Sequence, residues 1–220
     1  LISQAGIESA NQGADLLRKE TIARKQLEIG GYFQRPVNVI KALSTASKNP
    51  GTFNIYQWDN FHPWLCTMMR LNDGRITYVG TELGFHSTGQ RSAANPRNCF
   101  VEQYDAPNGT YRVQDYAFTD KGVPYLIKHW SVDGESPNTF DPRLRPWYNV
   151  TRDTVVWSPV FLNWVPRGPA VAPAAPLVDP ILGRNIGVFA SDFTTEYLLE
   201  FLSQSVVGKT GKMILVESKT

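Results

Sequence analysis

The tetrapeptide Lys48-Asn-Pro-Gly51 separates two stretches whose apolar residues follow different periods, and that change limits the fold more than any other feature. Before it, Ile7, Leu16, Ile22, Leu27 and Ile29 stand among Gln, Glu, Lys and Arg, with no turn cluster before Gly30-Gly31. This reads as a long, polar-faced helix. A second helical piece follows in "RPVNVIKALSTAS", with Pro36 near its start and Val37, Ile40, Leu43 and Ala46 on one stripe. After the break the pattern is that of strands and hairpins. "PWLCTMMRL" and "RITYVGTEL" flank Asn72-Asp73-Gly74, a hairpin signal. "NCFVEQYD" and "TYRVQDYAF" flank Ala106-Pro-Asn-Gly109, a second hairpin. "PYLIKHWSV" is a fifth strand, with Tyr125, Ile127 and His129 on one face; "TVVWSPVFLNW" and "NIGVFASDF" are two more. The segment between these last two, "VPRGPAVAPAAPLVDP", is too rich in proline for a central strand except in short pieces. "TTEYLLEFLSQ" predicts a short helix opened by a threonine cap, and "GKTGKMILVESKT" enters another strand. Helices outside hairpin-linked strands give an α+β fold around an antiparallel sheet.

Composition excludes several functional classes. A net charge of +2 with scattered basic residues gives no basic patch for nucleic acid. No run of 18 apolar residues spans a membrane. The chain starts at Leu1 and reads as an excised or processed fragment. His62, His86 and His129 lack metal-ligand spacing, and no nucleophile elbow occurs. "VVGKTG" falls short of a phosphate loop, because Ser203 stands where the first glycine belongs. No catalysis, metal or cofactor is expected. Cys66 and Cys99, both assigned to strands, fit either one disulfide in an exported domain or two buried thiols. Asn108-Gly-Thr and Asn149-Val-Thr match the glycosylation sequon.

"FDPRLRPWYNVTRD", residues 140 to 153, is the densest stretch, with three arginines, two prolines and three aromatics. Pro142 and Pro146 keep the chain extended up to a short helix near Trp147, so Arg145, Trp147 and Tyr148 project from a loop-to-helix junction.

Taken in order, "FDPRLRPWY", "VVWSPVF", "GRNIGVFASDFTTEYLLEFL" and "VGKTGKMILVES" resemble the double Cache family, the extracytoplasmic PAS-like sensor domains of chemoreceptors, sensor kinases and cyclases. The match runs from residue 140 to about 217. It implies a helical stalk over residues 1–51, a membrane-distal PAS-like ligand-binding module over 52–205, and the start of a membrane-proximal module over 206–220, that second module being absent or truncated. It also implies a small polar ligand, such as an amino acid or a related amine or carboxylate, and a parent protein anchored in the membrane by segments outside this chain. The long helix is a candidate homodimer seam. The family's amino-acid-binding pattern falls on Arg145, Trp147, Tyr148 and Asp192, with the guanidinium for a ligand carboxylate and Asp192 for an ammonium. Phe140 and Phe161 stand where the family usually has tyrosine, and Asn163 where it usually has aspartate. His129 or Tyr125 is expected to contribute from the sheet. The competing expectations are a module that binds nothing and serves dimerisation or a partner, an enzyme, or a filled pocket in which Arg143 and Arg145 pair with Asp141 or Asp153.

Overall fold

A helix α1, Gln4–Ser47, runs without interruption through Gly30-Gly31 and carries Pro36 inside it. The two helical pieces expected from the sequence are therefore one. The structure, a computed structural model, describes residues 3–53, 57–73, 75–105, 109–132, 140–150, 153–163 and 168–204, without the side chains at 58, 59, 130–132 and 204. Two compact units divide at Arg35/Pro36 and Thr195/Glu196. In the first, Tyr32 of α1 stacks on Phe201 of α3, Thr195–Gln204, with ring centroids 4.1 Å apart, and its hydroxyl donates to the Tyr197 carbonyl at 2.5 Å. The expected strand beyond residue 207 lies outside the described residues. No helix among the described residues is long and apolar enough to cross a membrane.

The second unit, Pro36–Thr195, holds the sheets. Its strands are β1 (Thr77–Thr81), β2 (Phe85–Arg91), β3 (Cys99–Asp105), β4 (Thr110–Phe118), β5 (Pro124–Val132), β6 (Val156–Trp157), β7 (Phe161–Leu162), β8 (Pro169–Val171), β9 (Pro173–Val178), β10 (Asn185–Ser191) and β11 (Phe193–Thr194). Eight form one antiparallel sheet in the order β5-β4-β3-β2-β1-β10-β9-β6, and β11-β8-β7 form a small second sheet. The fold is α+β, a long N-terminal helix followed by a PAS-like antiparallel sheet.

Sequence expectations fail here: "TVVWSPVFLNW" is not one strand but contains β6 and β7, which belong to different sheets. "PWLCTMMRL" is not a strand but most of helix α2, Trp58–Leu71. Its buried residues Phe61, Leu65 and Met68 recur every three to four positions, which a short continuous apolar run conceals. The proline-rich segment supplies β9, which lies between β10 and β6. Its prolines sit where no ladder donor is required. Pro173 precedes the first β10 pair, Ala174 with Ala190, while Pro176 lies beyond the two residues that β6 pairs, Pro173 and Ala174.

The large sheet is covered on both faces. On one face, Val39, Ile40 and Leu43 of α1 and Phe61, Leu65 and Met68 of α2 pack on Val79, Leu177, Ile186 and Phe189. The cysteines form a disulfide with Cα atoms 5.5 Å apart, tying α2 to β3 on this side. On the other face, Tyr78, Val188 and Ala190 meet Trp147, Phe161 and Ala172. β1 is buried at all five positions because both faces are occupied.

Candidate ligand-binding site

The register of the three strands β1 to β3 places one set of side chains on the face opposite α2. Tyr78 pairs with Thr88 and Thr88 with Glu102, making one cross-strand row; His86 pairs with Tyr104 in the next. These residues and Gln90 form the floor of a half-open cavity of about 120 Å3. Ile76, Phe140, Arg145, Trp147, Asn163 and Asp192 complete the walls. The volume is close to that of an engineered cavity of ~150 Å3 that admits benzene, so the enclosed part suits a ligand of few heavy atoms.

The proline-arginine segment forms the wall as follows. Asp141 accepts hydrogen bonds from the Arg143 backbone nitrogen (2.9 Å) and from Arg143 Nη2 (2.7 Å), starting a 3-10 helix at Pro142–Leu144. Trp147 then packs on β1 at Gly80. A Cβ there would come within 2.8 Å of the indole and 2.7 Å of Pro142 Cβ, so glycine is what allows the approach. Trp147 is 2% exposed and lies edge-on to Tyr78, centroids 4.8 Å apart. Arg143 therefore pairs internally while Arg145 does not. Arg145 Nη2 donates to the Leu162 carbonyl at 2.7 Å, and its guanidinium carbon lies 5.7 Å from the ring centres of both Phe140 and Phe161. Its Nε is buried and makes no hydrogen bond.

Asp192 follows β10, with its backbone nitrogen bonded to the Ile76 carbonyl. Its carboxylate is 3% exposed and accepts from Tyr78 Oη at 2.7 Å and Asn163 Nδ2 at 2.6 Å. Burial pushes its pKa up to about 6, against the lowering effect of the Tyr78 and Asn163 hydrogen bonds and the Arg145 charge. Burial and then the Arg145 charge bring His86 down to about 3, so the imidazole is neutral, and its Nδ1 has no hydrogen-bond partner. Asn163 explains itself in this setting. An aspartate in its place would set two carboxylates against each other, whereas the amide orients Asp192 by donating to it.

Of the residues singled out in the sequence, Phe140, Arg145, Trp147, Asn163 and Asp192 line the cavity. Phe161 is buried in the cluster around Trp147, and Tyr148 packs half-buried against it. Tyr125 and His129 do not reach the cavity; both are exposed on β5, the edge strand. They do not share a face either. The ladder passes from Asp115–Lys128 to Tyr116–Leu126, leaving Ile127 as a bulge that reverses the alternation, and His129 is paired with Gln114, whose side chain hydrogen-bonds His62 of α2. The residues not singled out, Ile76, Tyr78, His86, Thr88, Gln90, Glu102 and Tyr104, come from β1 to β3 and its approach. Among the described residues no cluster of His, Cys, Asp or Glu could hold a metal ion.

A PAS-like sheet that holds a small polar cavity under a proline-arginine segment has the fold of a Cache-type sensory domain. The ligand-binding domain of the Campylobacter jejuni chemoreceptor Tlp3, in complex with L-valine, superposes with a TM-score of 0.57 at 15% identity, over 93% of this chain and 69% of its own. The Tlp3 (CcmL) sensory domain with isoleucine bound gives the same values. No protein-family model matches the sequence, and no curated protein matches it.

Proposed function

We infer that the chain is the extracytoplasmic ligand-sensing domain of a membrane-anchored signalling receptor, without catalysis of its own, and that it binds an amino acid or a related small amine or carboxylate. The observation that carries this reading is the placement of a partly exposed guanidinium, whose buried Nε makes no hydrogen bond, and a buried carboxylate in the walls of one small cavity. A ligand carboxylate on Arg145 and an ammonium on Asp192 would meet both with charge-assisted hydrogen bonds. The Tlp3 domains of the same fold hold L-valine and isoleucine. The disulfide supports placement outside the cytoplasm, where such bridges persist. Residues 1–51 serve as the stalk in this proposal, residues 52–205 as the distal module and 206–220 as the start of the proximal one. Pairing of two copies through α1, where Leu16 and Leu27 are exposed, belongs to the same proposal.

A thermal-shift screen of amino acids, amines, purines and small carboxylates tests it. A ligand at 100 times its Kd stabilises by about 2.7 kcal/mol. Arg145→Ala and Asp192→Asn should fold and lose that shift. Asparagine is preferred to alanine at 192, because alanine would strand the buried Tyr78 hydroxyl and Asn163 amide. A full ligand response in both variants would overturn the reading.

A further inference from the structure

Among the described residues three charged side chains line the cavity, and their charges do not balance against a simple zwitterion. Arg145 is the one cation, Asp192 and Glu102 are the two carboxylates, and His86 is held neutral. A monoamino acid bound as proposed above would join its carboxylate to Arg145 and its ammonium to Asp192. Glu102 would remain. Its Oε1 accepts from Tyr111 Oη at 2.5 Å and its Oε2 from Gln90 Nε2 at 2.9 Å. Both donors are neutral, and no cation among the described residues pairs with this carboxylate. It is half-buried, and it lies in the same cross-strand row as Tyr78 and Thr88. A ligand side chain leaving the Asp192 end would run over Thr88 toward it. The aromatic rings of Tyr104 and Phe140, 5.9 Å apart, stand beside that position and would favour a cation by their π faces. The unpartnered His86 Nδ1, on a side chain 7% exposed, lines the same space and marks it as built for a polar guest.

We propose that Glu102 is a specificity-determining residue that receives a second cationic group, so that the site takes short diamino acids in preference to aliphatic ones. This rests on the amino-acid reading of the cavity. The small enclosed volume favours short side chains such as those of L-2,4-diaminobutyrate and L-ornithine. Their near-isosteres without the terminal charge are L-norvaline and L-norleucine.

Calorimetric titration of the native chain and of Glu102→Gln with these four compounds tests the proposal near pH 7.5. A charged hydrogen bond is worth about one order of magnitude in affinity or more. The native protein should bind L-ornithine at least about tenfold more tightly than L-norleucine, and L-2,4-diaminobutyrate likewise against L-norvaline. Glu102→Gln should bring each pair to within about threefold by weakening the diamino acids far more than the aliphatic ligands. Aliphatic ligands that bind the native protein as tightly as their diamino partners overturn the role of Glu102 and leave the amino-acid reading standing, even if the variant fails to fold. Equal weakening of both classes by Glu102→Gln also overturns it, since the residue then only shapes the cavity. Absence of binding by all four compounds to the native protein overturns both.

Discussion

Asp192 and His86 face the same cavity and are displaced in opposite ways by the same cause, burial. Asp192 titrates near 6 in the folded domain against an ordinary value near 3.8. The folded state thus keeps a proton that the unfolded chain releases, and this contribution to stability is present at low pH and lost as pH rises through about 6. His86 titrates near 3 against an ordinary 6.5. Its contribution is present above about 6.5 and is lost as pH falls, because the unfolded imidazole takes up a proton that the folded one refuses. Between about pH 4 and 6 the two slopes oppose, each about 1.4 kcal/mol per pH unit at most. Asp192→Asn should therefore uncover the His86 slope, losing stability from about pH 6.5 to 4.5 faster than the native domain does in urea unfolding. Parallel curves for the two proteins would show that one of these assignments is wrong. Binding of a ligand ammonium needs the ionised carboxylate, so its Kd should rise as pH drops below about 6.

At the scale of elements, one attachment on each face holds the large sheet that floors the cavity. The first is the disulfide between Cys66 on α2 and Cys99 on β3, closing a sequence separation of 33 residues. A loop of that size is worth about 3–4 kcal/mol in a chain-entropy account. Reduction, or Cys66→Ser with Cys99→Ser, should lower stability by that order, read as the urea midpoint with and without reductant. The second is the seat of Trp147 on Gly80. Gly80→Ala must displace the indole or Pro142, and overpacking of this kind costs about 1–3 kcal/mol. The variant should also weaken ligand binding, since Trp147 walls the cavity; unchanged affinity and stability would mean that the segment shifts freely. The elements that were legible in the sequence are those whose own residues carry the signal. β3, β4 and β10 show alternating or continuous apolar runs, whereas the 3-10 helix at Pro142–Leu144 stands where the sequence predicts an extended chain leading to a helix near Trp147, at which the chain only turns. β2 is different. "FHSTGQR" has no apolar alternation, yet four of its seven residues are buried. It is polar because one face lines a cavity, and the strand that contributes three lining residues was for that reason hidden.

For the molecule as a whole, the resemblance to the double Cache family pointed to Phe140, Arg145, Trp147, Asn163 and Asp192, and the sequence by itself determined the order of helix and sheet and the α+β class. Those properties are local: periodicity, turn chemistry and residue types at close spacing are written within a few positions of one another. The tertiary structure decided the rest. It made α2 a helix, because Phe61, Leu65 and Met68 needed one face against the sheet. It put proline-rich β9 between β10 and β6, where Pro173 lies outside the positions that β10 pairs and Pro176 outside those that β6 pairs. It removed Tyr125 and His129 from the site through a bulge at Ile127 on an edge strand. It brought Glu102 beside Tyr104 and across from Asp192, residues 90 positions apart in the chain whose charges acquire meaning only in a shared, partly dehydrated cavity. Register and burial are set by pairing between distant strands, and a side chain's charge partner and its desolvation follow from them.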